Sequence, residues 1–329
     1  MLNPPDSFPE DGLRALLANT WKVQVESLTY VPVGFGTHHW SVRDAEGGEW
    51  FVNVDELPTG AGAGPGAATE RLRELRNALS VPRALRDHGY SFAVAPVPSA
   101  DGTVVAELAP GFAVSVYPHL DGDSFPWQPW QGADPSLRAE ALAIVGELHA
   151  VPRSAWGTAD TEDFAIPQRA TLDAALAGRL PDPAAGPFAG PAGELVARHA
   201  PLLGRLLAHH DALADSARAR PETFVLTHGE PHLGNFLRGR DRLLLIDWDT
   251  ALIAPPERDL WDFELGDPAL QDLYSLRWDL TETAVYLGLF SRPHIGDANE
   301  RASWINLADT LANLETTAAR IEPSWTSRH

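Results

Sequence analysis

An α+β fold of two lobes is what the 329-residue sequence predicts, and three observations predict it. Residues up to about 118 read mainly as strands, the chain turns helical after Pro118, and no internal repeat relates the two parts. The expected division is an N-terminal lobe over residues 1–118, built of an antiparallel sheet plus a helix, and a mainly helical lobe over residues 119–329. With 44% hydrophobic and 21% charged residues, the chain has enough apolar side chains for two cores.

The elements follow in order. Over residues 20–54, Trp21, Val23 and Val25 alternate with polar residues, the pattern of a half-buried strand. Gly34-Phe35-Gly36-Thr37 breaks the pattern as a turn, and His39–Arg43 and Glu49–Val54 continue as strands about Gly47-Gly48. Residues 57–68 are rich in Gly and Ala and read as a loop; Leu72, Leu75 and Leu79 then mark one face of a helix. Residues 92–97, 103–108 and Val114–Tyr117 read as further strands. Beyond Pro118, Asp134 is a good N-cap with Pro135 at the first helical position, and Leu137, Ala141, Ile144 and Leu148 form an apolar stripe ending at His149. Residues 181–193 read as a loop between helices. Phe224–Thr227 and Arg242–Ile246 are short buried strands, and the chain is again mostly helical from Pro256.

Composition narrows the function. The formal net charge of −20 argues against a nucleic-acid partner; it would attract a cationic small molecule, and it equally serves to keep the protein in solution. No run of roughly 18 apolar residues is present to cross a membrane, and the start carries no basic-then-apolar leader, so the expected compartment is the cytoplasm. The absence of cysteine removes thiolate metal sites and cysteine nucleophiles. Lys22 is the only lysine.

The chemistry is concentrated in Thr227-His228-Gly229-Glu230-Pro231-His232-Leu233-Gly234-Asn235 and in Leu243-Leu244-Leu245-Ile246-Asp247-Trp248-Asp249. Phosphoryl transfer needs a carboxylate at the attacking hydroxyl and hard oxygen ligands for Mg²⁺, on rigid loops a few ångströms apart. Protein kinases place an Asp, an Asn five positions later, and a second Asp after a further strand. Glu230, Asn235 and Asp247 have that spacing. His228 and His232 with Glu230 between them do not make a zinc helix, because Pro231 interrupts it.

At these residues the sequence resembles the aminoglycoside phosphotransferase and choline kinase family, nearest its spectinomycin phosphotransferase branch through Ile246-Asp247-Trp248-Asp249 and Pro255-Pro256-Glu257-Arg258-Asp259-Leu260. The resemblance implies a bilobal, protein-kinase-like fold and an O-phosphotransferase using Mg²⁺ with ATP or GTP. Its acceptor would be a hydroxyl of an aminoglycoside, an aminocyclitol or another natural product, in the setting of antibiotic resistance. Carried over by position, the resemblance puts Glu230 at the catalytic carboxylate and His228 beside it as the brace of the catalytic loop. Asn235 and Asp247 become the metal ligands, and Asp259 a buried brace. The turn with Gly34, Gly36, Thr37 and His38 becomes the phosphate-covering loop, Asn53 the third-strand position beside it, and the stretch from Tyr117 through His119 to Leu120 the hinge that holds the base. Asp249, Asp262, Asp279 and Glu282 are the candidates for a cationic substrate.

Two positions depart from the family. Glu230 replaces Asp, moving the carboxylate by roughly 1.5 Å, where about 1 Å can cost ~100-fold in rate. Asn53 stands where the phosphate-binding lysine belongs, leaving Lys22, His38, His39 and Arg43 as replacement cations. The alternative expectation is a kinase-like binding module with little transferase activity that works with a protein partner, or a relative directed at a peptide Ser or Thr.

Overall fold

The computed structural model describes every residue except 1–2, 6–7, 35, 59–63, 110 and 326–329. The chain forms two compact units, each from two segments: residues 1–162 with 224–259, and residues 163–223 with 260–329.

The first unit begins with α1 (Glu10–Leu16), which runs into a turn of π-helix at Leu17–Trp21 and ends at Lys22 in the left-handed region (φ 63°). The strand expected from Trp21 and Val23 therefore starts later. Leu13, Leu17 and Trp21 are four residues apart, and Leu13 and Leu17 are fully buried, so this helical period outweighs an alternation of only three residues. The strands are β1 (Val25–Val31), β2 (Thr37–Asp44) and β3 (Glu49–Glu56). At the Gly47-Gly48 turn, Asp44 accepts from the Gly48 amide (2.7 Å) and the Trp50 indole (2.8 Å). The Gly/Ala-rich loop ends two residues early at α2 (Ala67–Asp87), whose Leu72, Leu75 and Leu79 are buried as expected; residues 59–63 of that loop lie outside the described residues.

With β4 (Ala106–Leu108) and β5 (Phe112–Pro118) the strands form one antiparallel sheet in the order β1-β2-β3-β5-β4. Trp40, Val52, Val54, Val114 and Val116 pack from it against Leu13 and Leu17. That leaves Phe51, Asn53 and Asp55 on the opposite face of β3, since side chains alternate along a strand. Residues 92–97 form no strand. The segment is extended, with one bridge from Ala93 to Leu245 and a bond from the Val97 amide to Val116 (2.7 Å), but Pro96 and Pro98 cannot donate to a ladder. Only the last three residues of 103–108 join the sheet. After β6 (Asp123–Ser124), α3 (Pro135–His149) starts as expected, Asp134 accepting from the amides of Ser136 (2.8 Å) and Leu137 (3.2 Å).

The second unit opens with α4 (Arg169–Leu176) and α5 (Ala189–Arg218). The loop expected over 181–193 is thus partly helix: Ala189 and Ala192 are buried, and Gly193 packs against Leu180 and Pro181, so small residues here permit close packing rather than a loop. The chain returns to the first unit as β7 (Val225–Thr227), β8 (Phe236–Arg238), β9 (Leu243–Leu245) and β10 (Leu252–Ala254), in two small antiparallel sheets, β6-β8-β9 and β10-β7, followed by α6 (Glu257–Leu260). The second unit closes with α7 (Pro268–Phe290) and α8 (Ala298–Trp325). Its core joins Leu172, Leu203, Leu206, Leu280, Leu287 and Leu311, each fully or almost fully buried and worth about 1.5–3 kcal/mol against exposure.

Candidate active site

The polar segment between β7 and β8 is fixed from several directions. The Ile246 amide donates to the Asn235 carbonyl (2.9 Å), extending the β8–β9 pairing by one step, so Asn235 lies opposite Ile246 and beside Asp247. Asn235 Nδ2 donates back to the Glu230 carbonyl (2.9 Å), closing the loop and leaving Oδ1 as its acceptor end. His228 Nε2 donates to the Ile246 carbonyl (2.8 Å) while its Nδ1 accepts from the Glu230 amide (3.3 Å). The carbonyl can only accept, so the proton sits on Nε2. Burial pushes His228 down to about 4 against the opposing charge of Asp259, which makes it a neutral brace between the loop and β9. Its ring meets the edge of buried Trp248 at 4.7 Å.

A second layer holds the loop from behind. Asp259, fully buried, accepts from the Gly229 amide (2.6 Å), the His228 amide (3.0 Å) and His149 Nε2 (2.9 Å). Burial would raise its pKa, but the bond from His149 and the charges of His149 and Arg258 prevail and hold it below the usual carboxylate value. Arg258, also buried, bonds Thr227 Oγ1 (3.0 Å), the Thr250 carbonyl (2.7 Å) and Glu162 (3.2 Å). Gly229 (φ 103°) lies against that guanidinium, so a Cβ there would collide with it. Sequence reading placed Asp259 as a buried brace; the roles of Arg258 and Glu162, 96 residues before it in the chain, had no local signature.

Glu230, Asp247, Asp249 and Thr250 share one cavity of about 220 Å³ with Gly36, Thr37, Asp55, Glu56 and Arg71. Asp247 has left-handed backbone (φ 66°), unusual without glycine and a form of strain that concentrates at functional sites. Its side chain is exposed to the open cavity, although protein atoms crowd around it. Burial first, then the charges of Asp249, Glu230 and Asp55, raise its pKa well above the carboxylate range. Asp55 is pushed up to about 6 by burial and by Asp249, against a hydrogen bond from Thr37 Oγ1 (2.9 Å) and the charge of Arg71. Arg71 Nη2 donates to Asp249 (3.1 Å).

The other N-terminal candidates spread along β2, β3 and β5. Gly34 (φ 68°) and Gly36 (φ 88°) need their left-handed backbone; Phe35 between them lies outside the described residues. Buried His38 is held between the Tyr30 hydroxyl (3.1 Å) and Glu56 (3.3 Å). His39 bonds Asn53 across the strands (3.0 Å), stacks on Phe51, and is lowered by burial, so it is neutral. Tyr117 is buried on β5 and its pKa is raised, by burial and then by the charges of Asp247, Asp55 and Asp249. His119 is partly exposed, 4.0 Å from Glu49. Pro118 and Leu120 line a separate cavity of about 260 Å³ with Leu244 and residues 93–98. Lys22 bonds the Asn19 carbonyl (2.8 Å) and Arg43 pairs with Glu49 (2.5 Å); neither lines the acidic cavity. Arg71, which does, was not among the replacement cations read from the sequence.

In the second unit, Asp262, Asp279 and Glu282 are not a solvated helix face. Asp279 is buried and pushed up to about 7 by burial and then Glu282; Asp262 goes up to about 6 by burial and then Glu264. Glu282, half-buried, accepts from the Tyr286 hydroxyl, and the rings of Trp261 and Trp278 lie 6.2 Å apart.

The profile of the phosphotransferase enzyme family matches residues 27–283. The chain is 36% identical over 249 residues to Protein StrN of Streptomyces griseus, covering 71% of this chain and 76% of that one. Among solved structures, a spectinomycin phosphotransferase bound to ADP and spectinomycin aligns with a TM-score of 0.67 at 16% identity, over 93% of this chain and 98% of that one. An amicoumacin kinase bound to AMP-PNP and Ca²⁺ aligns with a TM-score of 0.56 at 15% identity, over 94% of each chain. At these identities the two structures bear on the fold alone, and they agree with the kinase-like α+β arrangement expected from the sequence.

Proposed function

The chain belongs to the phosphotransferase enzyme family, and on that premise we propose that it transfers the γ-phosphoryl group of ATP or GTP to a hydroxyl of a polar, cationic small molecule. The observation that carries this reading is the meeting of Glu230 and Asp247 in one cavity, with Asn235 tied by hydrogen bonds to the loop of the first and the strand of the second. A divalent cation suits this donor set. Asp247 stands in a concentration of negative charge from Asp249, Glu230 and Asp55, which a cation would relieve, and an Asn amide oxygen with a carboxylate is a hard-oxygen pair of the kind Mg²⁺ prefers. Asn235 and Asp247 would hold that ion, which when bound neutralises charge on the phosphates.

The chain's own residues supply the rest. Glu230 orients the acceptor hydroxyl and takes its proton; His228, neutral and locked between the Ile246 carbonyl and the Glu230 amide, fixes the loop that carries it. The turn at Gly34–Gly36, continued by Thr37, His38 and Asn53, covers the phosphates. The hinge at Tyr117 and His119 positions the base. Residues 1–118 serve as the nucleotide lobe and residues 119–329 as the catalytic and acceptor lobe. Asp262, Asp279 and Glu282 bind the acceptor's cationic groups, a role their burial supports because a protonated amine would stabilise their charged forms. Spectinomycin in one structural relative supports an aminocyclitol or similar natural product as the acceptor class. Action in the cytoplasm accords with nucleotide use; among the described residues no helix is long and apolar enough to cross a membrane.

A screen of acceptors with γ-labelled nucleotide tests the reading. Asp247→Asn should raise the Kd of the Mg-nucleotide at least tenfold, and an unchanged Kd would remove it from the metal site. Glu230→Gln should lower kcat by about 10²–10⁴-fold while moving nucleotide Kd less than about threefold. Equal turnover in that variant would take Glu230 out of the mechanism, and a wild type that binds no nucleotide would favour a module acting through a protein partner.

A further inference from the structure

We propose that Arg71 on α2 is the cation that grips the nucleotide's phosphates, in place of the lysine that Asn53 replaces on β3. The inference rests on the nucleotide-dependent reading above and goes beyond it by assigning a residue.

Three observations support it. First, Arg71 lines the same cavity as Glu230, Asp247 and the Gly36–Thr37 turn, the place a polyphosphate must occupy for Glu230 and Asp247 to act on it. Second, the other candidates are engaged elsewhere: Lys22 and Arg43 as described, His38 between Tyr30 and Glu56, and His39 neutral against Asn53. Third, the acids of the helix do not line the cavity. Glu70 pairs with Arg73 at 2.7 Å and is more than half exposed, while Glu74 reaches only 3.9 Å from Arg71 and is also largely exposed. The carboxylate that faces inward is Asp55 of β3, and Arg71 is among the charges that stabilise its ionised form.

The geometry leaves Arg71 able to receive a ligand. A guanidinium has five N–H donors, and the bond to Asp249 is the one hydrogen bond Arg71 makes among the described residues. The remaining donors suit phosphate oxygens, for which the planar fork is well shaped. Asp55 contributes from the other side: it accepts from Thr37 Oγ1, fastening the start of β2 and with it the glycine turn over the cavity. A cavity lined by Asp55, Asp247, Asp249 and Glu230 would otherwise repel a nucleotide, and Arg71 is the basic side chain lining it.

Calorimetric titration of wild type, Arg71→Gln and Arg71→Lys tests this, each with a non-hydrolysable ATP or GTP analogue and with the matching nucleoside. Arg71→Gln should weaken the triphosphate analogue by about 10- to 100-fold, the range for losing a hydrogen bond to a charged group, and leave nucleoside affinity within about twofold. Arg71→Lys keeps the charge and should recover most of the loss. Equal loss for analogue and nucleoside would mean a packing effect and overturn the proposal, as would an analogue Kd unchanged by Arg71→Gln or a lysine variant as weak as the glutamine one. If the glutamine variant does not fold, Arg71→Met, which keeps the stem and removes the charge, decides by the same ratio of analogue to nucleoside affinity. A wild type that binds neither analogue overturns the proposed function and this inference with it; a wild type that binds while Arg71→Gln binds equally overturns the inference alone.

Discussion

Replacing Asp259 with Ala should unfold the first unit at a much lower temperature, by an amount that can be worked out from its contacts. The carboxylate is fully buried and accepts three bonds, from the His228 amide, the Gly229 amide and His149 Nε2. Removing it leaves all three donors without an acceptor. Each buried orphan costs about 1–3 kcal/mol; His149, at 13% side-chain exposure, can recover part of its share from water. The sum is about 3–5 kcal/mol. For a unit of this size each kcal/mol moves the midpoint by about 2–4 °C, so the shift should be roughly 6–20 °C by calorimetry at neutral pH. Asp259→Asn keeps one good acceptor and should lose less than half as much. The effect also has a pH sign. The folded-state pKa of Asp259 is depressed, so its contribution is fully present above the unfolded value and lost as pH falls through the folded one. The gap between wild type and Asp259→Ala should therefore be wide at pH 7 and narrow well below pH 4. A midpoint shift under about 3 °C, or a gap that does not narrow in acid, would refute the view that this carboxylate organises the loop.

Gly229→Ala should cost at least 3 kcal/mol, because its Cβ meets the buried Arg258 guanidinium and its φ of 103° is closed to side chains; a denaturant midpoint within 1 kcal/mol of wild type would show the loop free to move. His228 and His232 are each pushed by burial to about 4, below the ordinary 6.5, so both fold neutral while the unfolded chain binds their protons. Stability should be fully present above pH 6.5 and fall between pH 6.5 and 4, by up to about 3 kcal/mol per histidine. His228→Gln should flatten that slope by about half, which denaturation curves at stepped pH would check.

Much of this was legible in the sequence where the signal was local. The Asp134–Pro135 start of α3, the stripe on α2 and the apolar run before Asp247 each rest on spacing within one element, and each stands in the structure. The misses have physical causes. Leu13, Leu17 and Trp21 drew the chain into helix where a short alternation suggested strand. Pro96 and Pro98 removed the donors a strand needs over 92–97. Arg71 was passed over because an arginine among Glu70, Arg73 and Glu74 reads as part of a solvated helix face. Its partner Asp249 lies 178 residues further on, a distance no periodicity can bridge. The acids of α7 were substrate candidates from the resemblance, but their spacing gave no sign that Asp279 would be buried along with Leu276 and Leu280.

The single lysine carries a practical corollary. Lys22 is exposed, ends the π-helical turn and does not line the acidic cavity. Acylating probes that mark nucleotide sites by capturing a lysine amine would pass over this pocket, so a survey of nucleotide-using proteins based on them would miss this enzyme. The same scarcity makes Lys22 the sole side-chain amine for conjugation, so a dye or a sensor surface attached through it stays off the lining of the acidic cavity.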